Sequence, residues 1–259
     1  MQDIKVTLIQ ANLVWENKQE NLRNFENEIS KFSPGDTDIV ILPEMYTTGF
    51  TMNPIAFAEL EEGETVQWMI KMAVNINACI VGSIVIKSGD YFFNQLVWVD
   101  NIGQIFRYNK KHLFGMGDEP KHYTAGNNQI RIDYKDWKIN PIICYDLRFP
   151  VWLRNTDQYD LLICVANWPE RRSHHWRALG LARAIENQCY VAMVNRVGED
   201  GSGINHTGDS QVIDAAGNIV WYASQQPSIA TVTLSAHHLE LTRRHMPFLK
   251  DKDSFRLQS

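Results

Sequence analysis

Apolar and polar positions alternate over Ile4 to Gln10, which predicts a first strand. From Asn17 to Phe32 the period changes: Leu22, Phe25, Ile29 and Phe32 recur three or four apart, which predicts a helix with one apolar face. Ser33-Pro34-Gly35-Asp36 ends it. Ile39 to Leu42 is a short unbroken apolar run, the pattern of a buried strand, with Pro43-Glu44 at its carboxyl end. Thr65 to Asn77 predicts a second amphipathic helix. Strands follow at Ala78 to Ile86, Tyr91 to Val99 and Gly103 to Tyr108, with turns at Ser88-Gly89-Asp90 and Asp100-Asn101.

Asn109 to Pro120 has neither period; it predicts a long loop rich in charge and glycine, a kind of segment that often carries function. Gln129 to Tyr134 and Trp137 to Cys144 predict a strand pair turning at Lys135-Asp136. Pro141 cannot donate to a ladder, so a bulge or local gap is expected there. Pro150 to Arg154 can open a helix directly after the second strand. Asp160 to Ala166 and Cys189 to Asn195 predict strands on either side of a helix from Arg172 to Gln188. Gly208 to Asp214, Asn218 to Trp221 and Ile229 to Leu234 predict strands, and Ser235 to His245 a last helix. No linker or repeat interrupts the series, so residues 1–259 are expected to form a single α/β domain. Tight turns between strands imply mixed sheets, and their number suits two sheets face to face with helices outside.

Composition narrows the classes. The 259 residues are 44% hydrophobic and 21% charged, with net charge −5, a globular balance lacking the basic stripe of a nucleic-acid binder. No signal pattern opens the sequence and no apolar run reaches the length of a membrane span. Cys79, Cys144, Cys164 and Cys189 are scattered in apolar contexts without Cys-x-x-Cys spacing, which points to a reducing, cytoplasmic setting rather than a disulfide framework. The adjacent pairs His174-His175 and His237-His238 diverge on a helix, and no metal-ligand spacing occurs, so neither a metal nor a cofactor is expected.

Four residues carry candidate chemistry because each ends a buried strand or lies on the loop after one: Glu44, Lys110, Glu119 and Cys144. Alone, Cys144 reads as a structural thiol and the others as surface charges. Together they form an acyl-transfer set. A carboxylate can take the proton of a thiol, and a lysine ammonium can hold an oxyanion.

The motifs Leu42-Pro43-Glu44-Met45, Asn109-Lys110-Lys111-His112-Leu113-Phe114 and Ile143-Cys144-Tyr145-Asp146-Leu147-Arg148-Phe149-Pro150 resemble the three catalytic signatures of the nitrilase superfamily, the carbon–nitrogen hydrolases. Ala166 to Arg172, Ala182 to Gln188 and Gly208-Asp209-Ser210 extend the resemblance over nearly the whole chain. Two departures are local: Asn109 precedes the lysine where many relatives have arginine, and Pro141 interrupts the nucleophile strand. The resemblance implies a four-layer α-β-β-α sandwich of two mixed sheets and a homodimer or higher homo-oligomer, formed through the helical layer beside the nucleophile. It implies Glu44 as general base, Lys110 as oxyanion lysine, Cys144 as nucleophile and Glu119 as a second, positioning glutamate. The backbone N–H of Tyr145 would share the oxyanion.

Glu44 to Met52, with Ala166-Asn167-Trp168-Pro169, is similar to the omega-amidase branch, which cleaves the terminal amide of 2-oxo acids such as 2-oxoglutaramate. Tyr46 and Trp168 are then expected as aromatic pocket walls, and Phe50 as core. Arg171 and Arg172 are candidates for the cation facing the substrate carboxylate. Arg148 is expected to pair structurally with Asp146. Other small-molecule amidases, N-carbamoyl-amine hydrolases and a non-catalytic binding protein of the same fold are the alternatives.

Overall fold

The computed structural model describes residues 1–257. In chain order its elements are strand β1 (Ile4–Gln10), helix α1 (Lys18–Ile29), β2 (Ile39–Ile41), α2 (Pro54–Phe57), α3 (Glu64–Ile76), β3 (Cys79–Ser88), β4 (Tyr91–Val99) and β5 (Ile105–Asn109). Then come α4 (Glu119–His122), β6 (Ile132–Tyr134), β7 (Trp137–Ile143), α5 (Pro150–Leu153), β8 (Leu161–Ala166), α6 (Ser173–Asn187) and β9 (Tyr190–Asn195). The chain closes with β10 (Val197–Glu199), β11 (Asn205–Thr207), β12 (Ser210–Ile213), β13 (Ile219–Ala223), β14 (Ser228–Leu234) and α7 (Ala236–His245).

The strands form two mixed six-stranded sheets, in the orders β14-β1-β2-β3-β4-β5 and β13-β12-β9-β8-β7-β6. Each has a parallel centre, β1-β2-β3 in one and β7-β8-β9 in the other, with antiparallel strands outside it. Alternation of side chains sorts β2 between two layers. Ile39 and Ile41 face a core shared with Ile139, Ile143 and Val165 of the second sheet, while Val40 and Leu42 face the outer helices. There α1 contributes Leu22, Phe25 and Ile29, and α3 contributes Val66, Met69 and Met72. On the second sheet α6 buries Trp176 and Ala184. The result is the expected α-β-β-α sandwich. Local signals set the helix ends: Asn17 caps α1 by accepting Glu20 N–H at 3.2 Å, and α3 and α6 stop at the left-handed Asn77 and Gln188.

The ladder between β7 and β8 keeps register through Pro141, paired with Ile163, so no bulge forms on that side. The gap lies on the other side, because β6 reaches only Ile132, opposite Ile139. The hairpin β10–β11 was not expected; its strands are three residues each, too short to show a period.

Candidate active site

In each sheet the parallel strands deliver chain ends to one edge. Leaving β2, the chain reaches Glu44; leaving β5, Lys110; leaving β7, Cys144; and leaving β8, Asn167. Since β4 runs antiparallel to both β3 and β5, the end of β5 lies on the same side as that of β3. The four expected residues do converge. Lys110 Nζ is 2.9 Å from Glu44 Oε1, and 3.0 and 2.9 Å from Glu119 Oε1 and Oε2, with all three side chains sealed from water. An ammonium has three N–H donors. Two directed at the glutamates leave one for a further acceptor.

Unpaired, such buried charges would cost several kcal/mol each. Here every acceptor is occupied. Asn94 Nδ2 donates to Glu44 Oε1 at 2.8 Å and to Glu119 Oε1 at 3.2 Å. Asn167 N–H donates to Glu44 Oε2 at 2.8 Å, and its Nδ2 holds the Glu44 carbonyl at 2.6 Å. Phe114 N–H donates to Glu119 Oε2 at 2.6 Å. Sequence reading missed Asn94 and Asn167. Asn94 had left a trace as the first polar residue inside the apolar strand Tyr91 to Val99.

Burial alone would pull the Lys110 ammonium down, but Glu119, then Glu44, outweigh it and hold its pKa above the ordinary lysine range. Burial pushes Glu119 up, against the pull of Lys110. The Cys144 thiol is raised well above its usual value, first by burial and then by the Glu44 charge, with Lys110 acting in the opposite sense. The resting sulfur is therefore a thiol that needs a base at the moment of attack. Its backbone is held at φ +43°, a left-handed conformation unfavourable for a residue with a Cβ. The elbow puts Cys144 at the head of a 3-10 turn, Cys144–Arg148, whose first amides, Tyr145 N–H among them, have no partner within the turn.

A cavity of about 190 Å³ opens over this cluster. Cys144, Lys110 and Asn167 line it beside Phe50, Phe114 and Trp168, with Arg148, Arg171 and Arg172 as its cations. Three expectations need correction. Tyr46 is not a pocket wall: it is fully buried on the outer face of the first sheet, against Phe25 and Trp68. Its ring lies on Gly82, where a Cβ would come within 2.8 Å of it. Phe50 is not core but lines the cavity, with Lys110 Nζ 5.1 Å from its ring centre. Arg148 does not pair with Asp146; its guanidinium stacks on Trp168, 4.5 Å from the ring centre, and lines the cavity. Trp168, Arg171 and Arg172 do line it, Arg172 lying 5.1 Å over Phe114. The opposite wall, Asp200, Ser202, Ile204 and His206, comes from the unforeseen hairpin.

The carbon–nitrogen hydrolase family model matches residues 5–244. The omega-amidase YafV of Escherichia coli (strain K12) is 43% identical over 258 residues, covering 99% of this chain and 100% of that protein. A 2-oxoglutaramate amidase of Bacillus subtilis (strain 168) is 31% identical over 251 residues, covering 95% of this chain and 96% of that one. Among solved structures, XC1258 from Xanthomonas campestris, a CN-hydrolase superfamily protein with an arsenic adduct in its active site, superposes with a TM-score of 0.97 at 39% identity, covering 100% of both chains.

Proposed function

The chain belongs to the carbon–nitrogen hydrolase family, and we propose that Cys144, Glu44 and Lys110 are the residues through which it cleaves amides. It is a hydrolase of linear carbon–nitrogen bonds with omega-amidase activity, converting 2-oxoglutaramate to 2-oxoglutarate and ammonia. The observation that carries the substrate reading is a single cavity with the thiol and ammonium on one wall and three guanidiniums around it. A 2-oxo acid brings a carboxylate to those cations and no ammonium. Glutamine would bring an ammonium among those guanidiniums.

In the proposed mechanism, Glu44 accepts the thiol proton as the sulfur bonds to the amide carbon. The carbonyl oxygen becomes an oxyanion held by the remaining Lys110 N–H and by Tyr145 N–H, each such donor contributing about 3 kcal/mol. Glu44 passes the proton to the nitrogen, ammonia leaves and a thioester remains on Cys144. Water then gives a proton to Glu44 and adds to the thioester. Collapse expels the sulfur, which recovers that proton, and the acid departs. Glu119 holds Lys110 through both of its carboxylate oxygens and shares the Asn94 amide donor with Glu44. The steps use no cofactor.

We further read residues 1–259 as one domain of a cytoplasmic homodimer. Four free cysteines support a reducing compartment, and no helix among the described residues is long and apolar enough to cross a membrane. Half-exposed Val151 and Ile185, on the helices after the nucleophile, support pairing through that layer. Steady-state ammonia release from 2-oxoglutaramate, glutamine and an N-carbamoyl amine tests the substrate reading. We expect 2-oxoglutaramate to have the highest kcat/KM by a wide margin; a preference for either of the others overturns it.

A further inference from the structure

Asp146 takes no part in the steps above, yet it is fully buried and its two oxygens serve four donors. Oδ2 accepts the Tyr108 hydroxyl at 2.7 Å and Ile143 N–H at 3.2 Å. Oδ1 accepts His112 N–H at 2.9 Å and lies 2.8 Å from His112 Nδ1. A carboxylate has only acceptors to offer, so Nδ1 carries the proton of that imidazole.

The origin of these donors is the telling feature. Tyr108 stands two residues before Lys110 and His112 two residues after it, while Ile143 immediately precedes Cys144. Among the described residues, every hydrogen bond between segment 108–119 and the elbow 143–149 ends on Asp146. Lys110 itself is tied to the first sheet by its N–H, which donates to Asn94 O at 3.0 Å, and its carbonyl accepts Gly126 N–H, from the segment before β6, at 2.9 Å. The elbow grows from the second sheet, at a backbone angle that must be held in place. Asp146 is thus where the lysine segment and the nucleophile elbow are joined, while Asn167, by donating to Glu44, ties the two sheets on the side of the base. The donors are braced in turn. Trp152 Nε1 donates to the Tyr108 hydroxyl at 3.3 Å, and the His112 ring stacks on Phe149 with centres 3.7 Å apart and planes 7° from parallel.

We propose that Asp146, gripping Tyr108 and His112, is the positioning residue that holds the Lys110 ammonium and the Cys144 sulfur in register for oxyanion formation. Reacting groups misplaced by about 1 Å lose on the order of a hundredfold in rate, so a joint of this kind governs kcat rather than substrate affinity. The kinetic arm of the test rests on the amidase reading.

Tyr108→Phe and His112→Leu each remove one donor while leaving the elbow intact. Each is expected to lower kcat by roughly ten- to a hundredfold with KM for 2-oxoglutaramate within about twofold of wild type. His112→Asn, whose side-chain N–H falls near the position of Nδ1, should recover most of the loss. Asp146→Asn combined with Tyr108→Phe should be no slower than Asp146→Asn alone, because both act through one joint. Wild-type kcat in Tyr108→Phe and His112→Leu, equal losses in His112→Asn and His112→Leu, or additive losses in the double variant would each overturn the proposal. Alkylation of Cys144 by chloroacetamide, read by intact mass, needs no amidase activity. It should slow by about tenfold in Asp146→Asn as Lys110 drifts from the sulfur. An unchanged rate would count against the joint. Should the wild-type enzyme release no ammonia from any amide, the amidase reading fails and alkylation alone decides the proposal.

Discussion

Lys110 Nζ lies within 3.0 Å of both carboxylate oxygens of Glu119, in a contact closed to water. The same carboxylate receives Phe114 N–H and Asn94 Nδ2. In Glu119→Gln, an amide nitrogen must face either the ammonium or the Phe114 N–H, donor against donor. The variant is expected to lose about 2 kcal/mol of stability, the cost of a buried group left unpaired. Its kcat is expected to fall on the order of a hundredfold as Lys110 loses one of its two restraints. Urea unfolding and ammonia release measure the two effects; turnover within about twofold of wild type would remove Glu119 from the positioning role.

The Tyr46 hydroxyl is buried without a hydrogen-bond partner, and burial drives its pKa well up. Tyr46→Phe deletes an unsatisfied polar atom and keeps the ring against Phe25 and Trp68. Stability should hold or rise by about 1 kcal/mol, with kcat/KM unchanged. A clear rise in KM would return Tyr46 to the pocket.

The candidate quartet was legible because each member ends a strand that the sequence marks plainly or lies on the loop after one, and the sheet order brings those ends to one edge. What the sequence hid lies on the wall opposite. Tyr46 and Phe50 sit four residues apart on one irregular segment, which has no period to say which side chain turns inward. Arg148 was assigned to Asp146 by proximity in sequence. The competition was decided by Tyr108 and His112, long-range donors that no local pattern announces. The hairpin wall was invisible for its shortness.

His206, on that wall, is held down to a pKa of about 4 from 6.5, by burial first and then by Arg196, with Asp200 acting the other way. Arg196 is itself fully buried and stays charged, lowered only to about 10. The folded state therefore favours neutral His206, while the unfolded chain takes up the proton near pH 6.5. This contribution to stability is complete above that pH and is lost as pH falls from 6.5 towards 4, by about 2–3 kcal/mol at most. Urea midpoints at pH 7 and pH 4.5 should show the decline, and His206→Gln should flatten it. An undiminished decline in the variant would assign the acid sensitivity elsewhere.

Cys144 bears its φ of +43° with a side chain attached. Glycine tolerates that region and alanine does not, so Cys144→Gly should be more stable than Cys144→Ala by about 1 kcal/mol, even though glycine normally costs chain entropy. Both should release no ammonia, and only wild type should carry an acyl adduct in intact-mass spectra quenched during turnover. Equal melting temperatures for the two variants would mean that the elbow relaxes without the sulfur.

Arg148 and Arg172 are half-buried in the cavity, and each lies against an aromatic face, Trp168 and Phe114 respectively. Neither has a carboxylate partner among the salt bridges of the described residues; the Arg148 Nη1 atom instead lies 3.3 Å from His175 Nδ1. Stacking fixes the plane of a guanidinium while leaving its N–H edge free for a carboxylate. A charge-assisted hydrogen bond to the substrate is worth roughly 1.5–3 kcal/mol, so losing the one that holds it should raise KM by about ten- to a hundredfold. Arg148→Gln and Arg172→Gln should therefore raise KM for 2-oxoglutaramate with little change in kcat, since the carboxylate sits far from the reacting carbon. A neutral amide such as butanamide has no carboxylate to lose, and its kcat/KM should stay near wild type in both variants. The larger KM effect identifies the arginine that holds the carboxylate. Parallel losses on butanamide would show instead that these side chains only shape the pocket, and unchanged KM for both substrates would move the carboxylate to Arg171 at the rim.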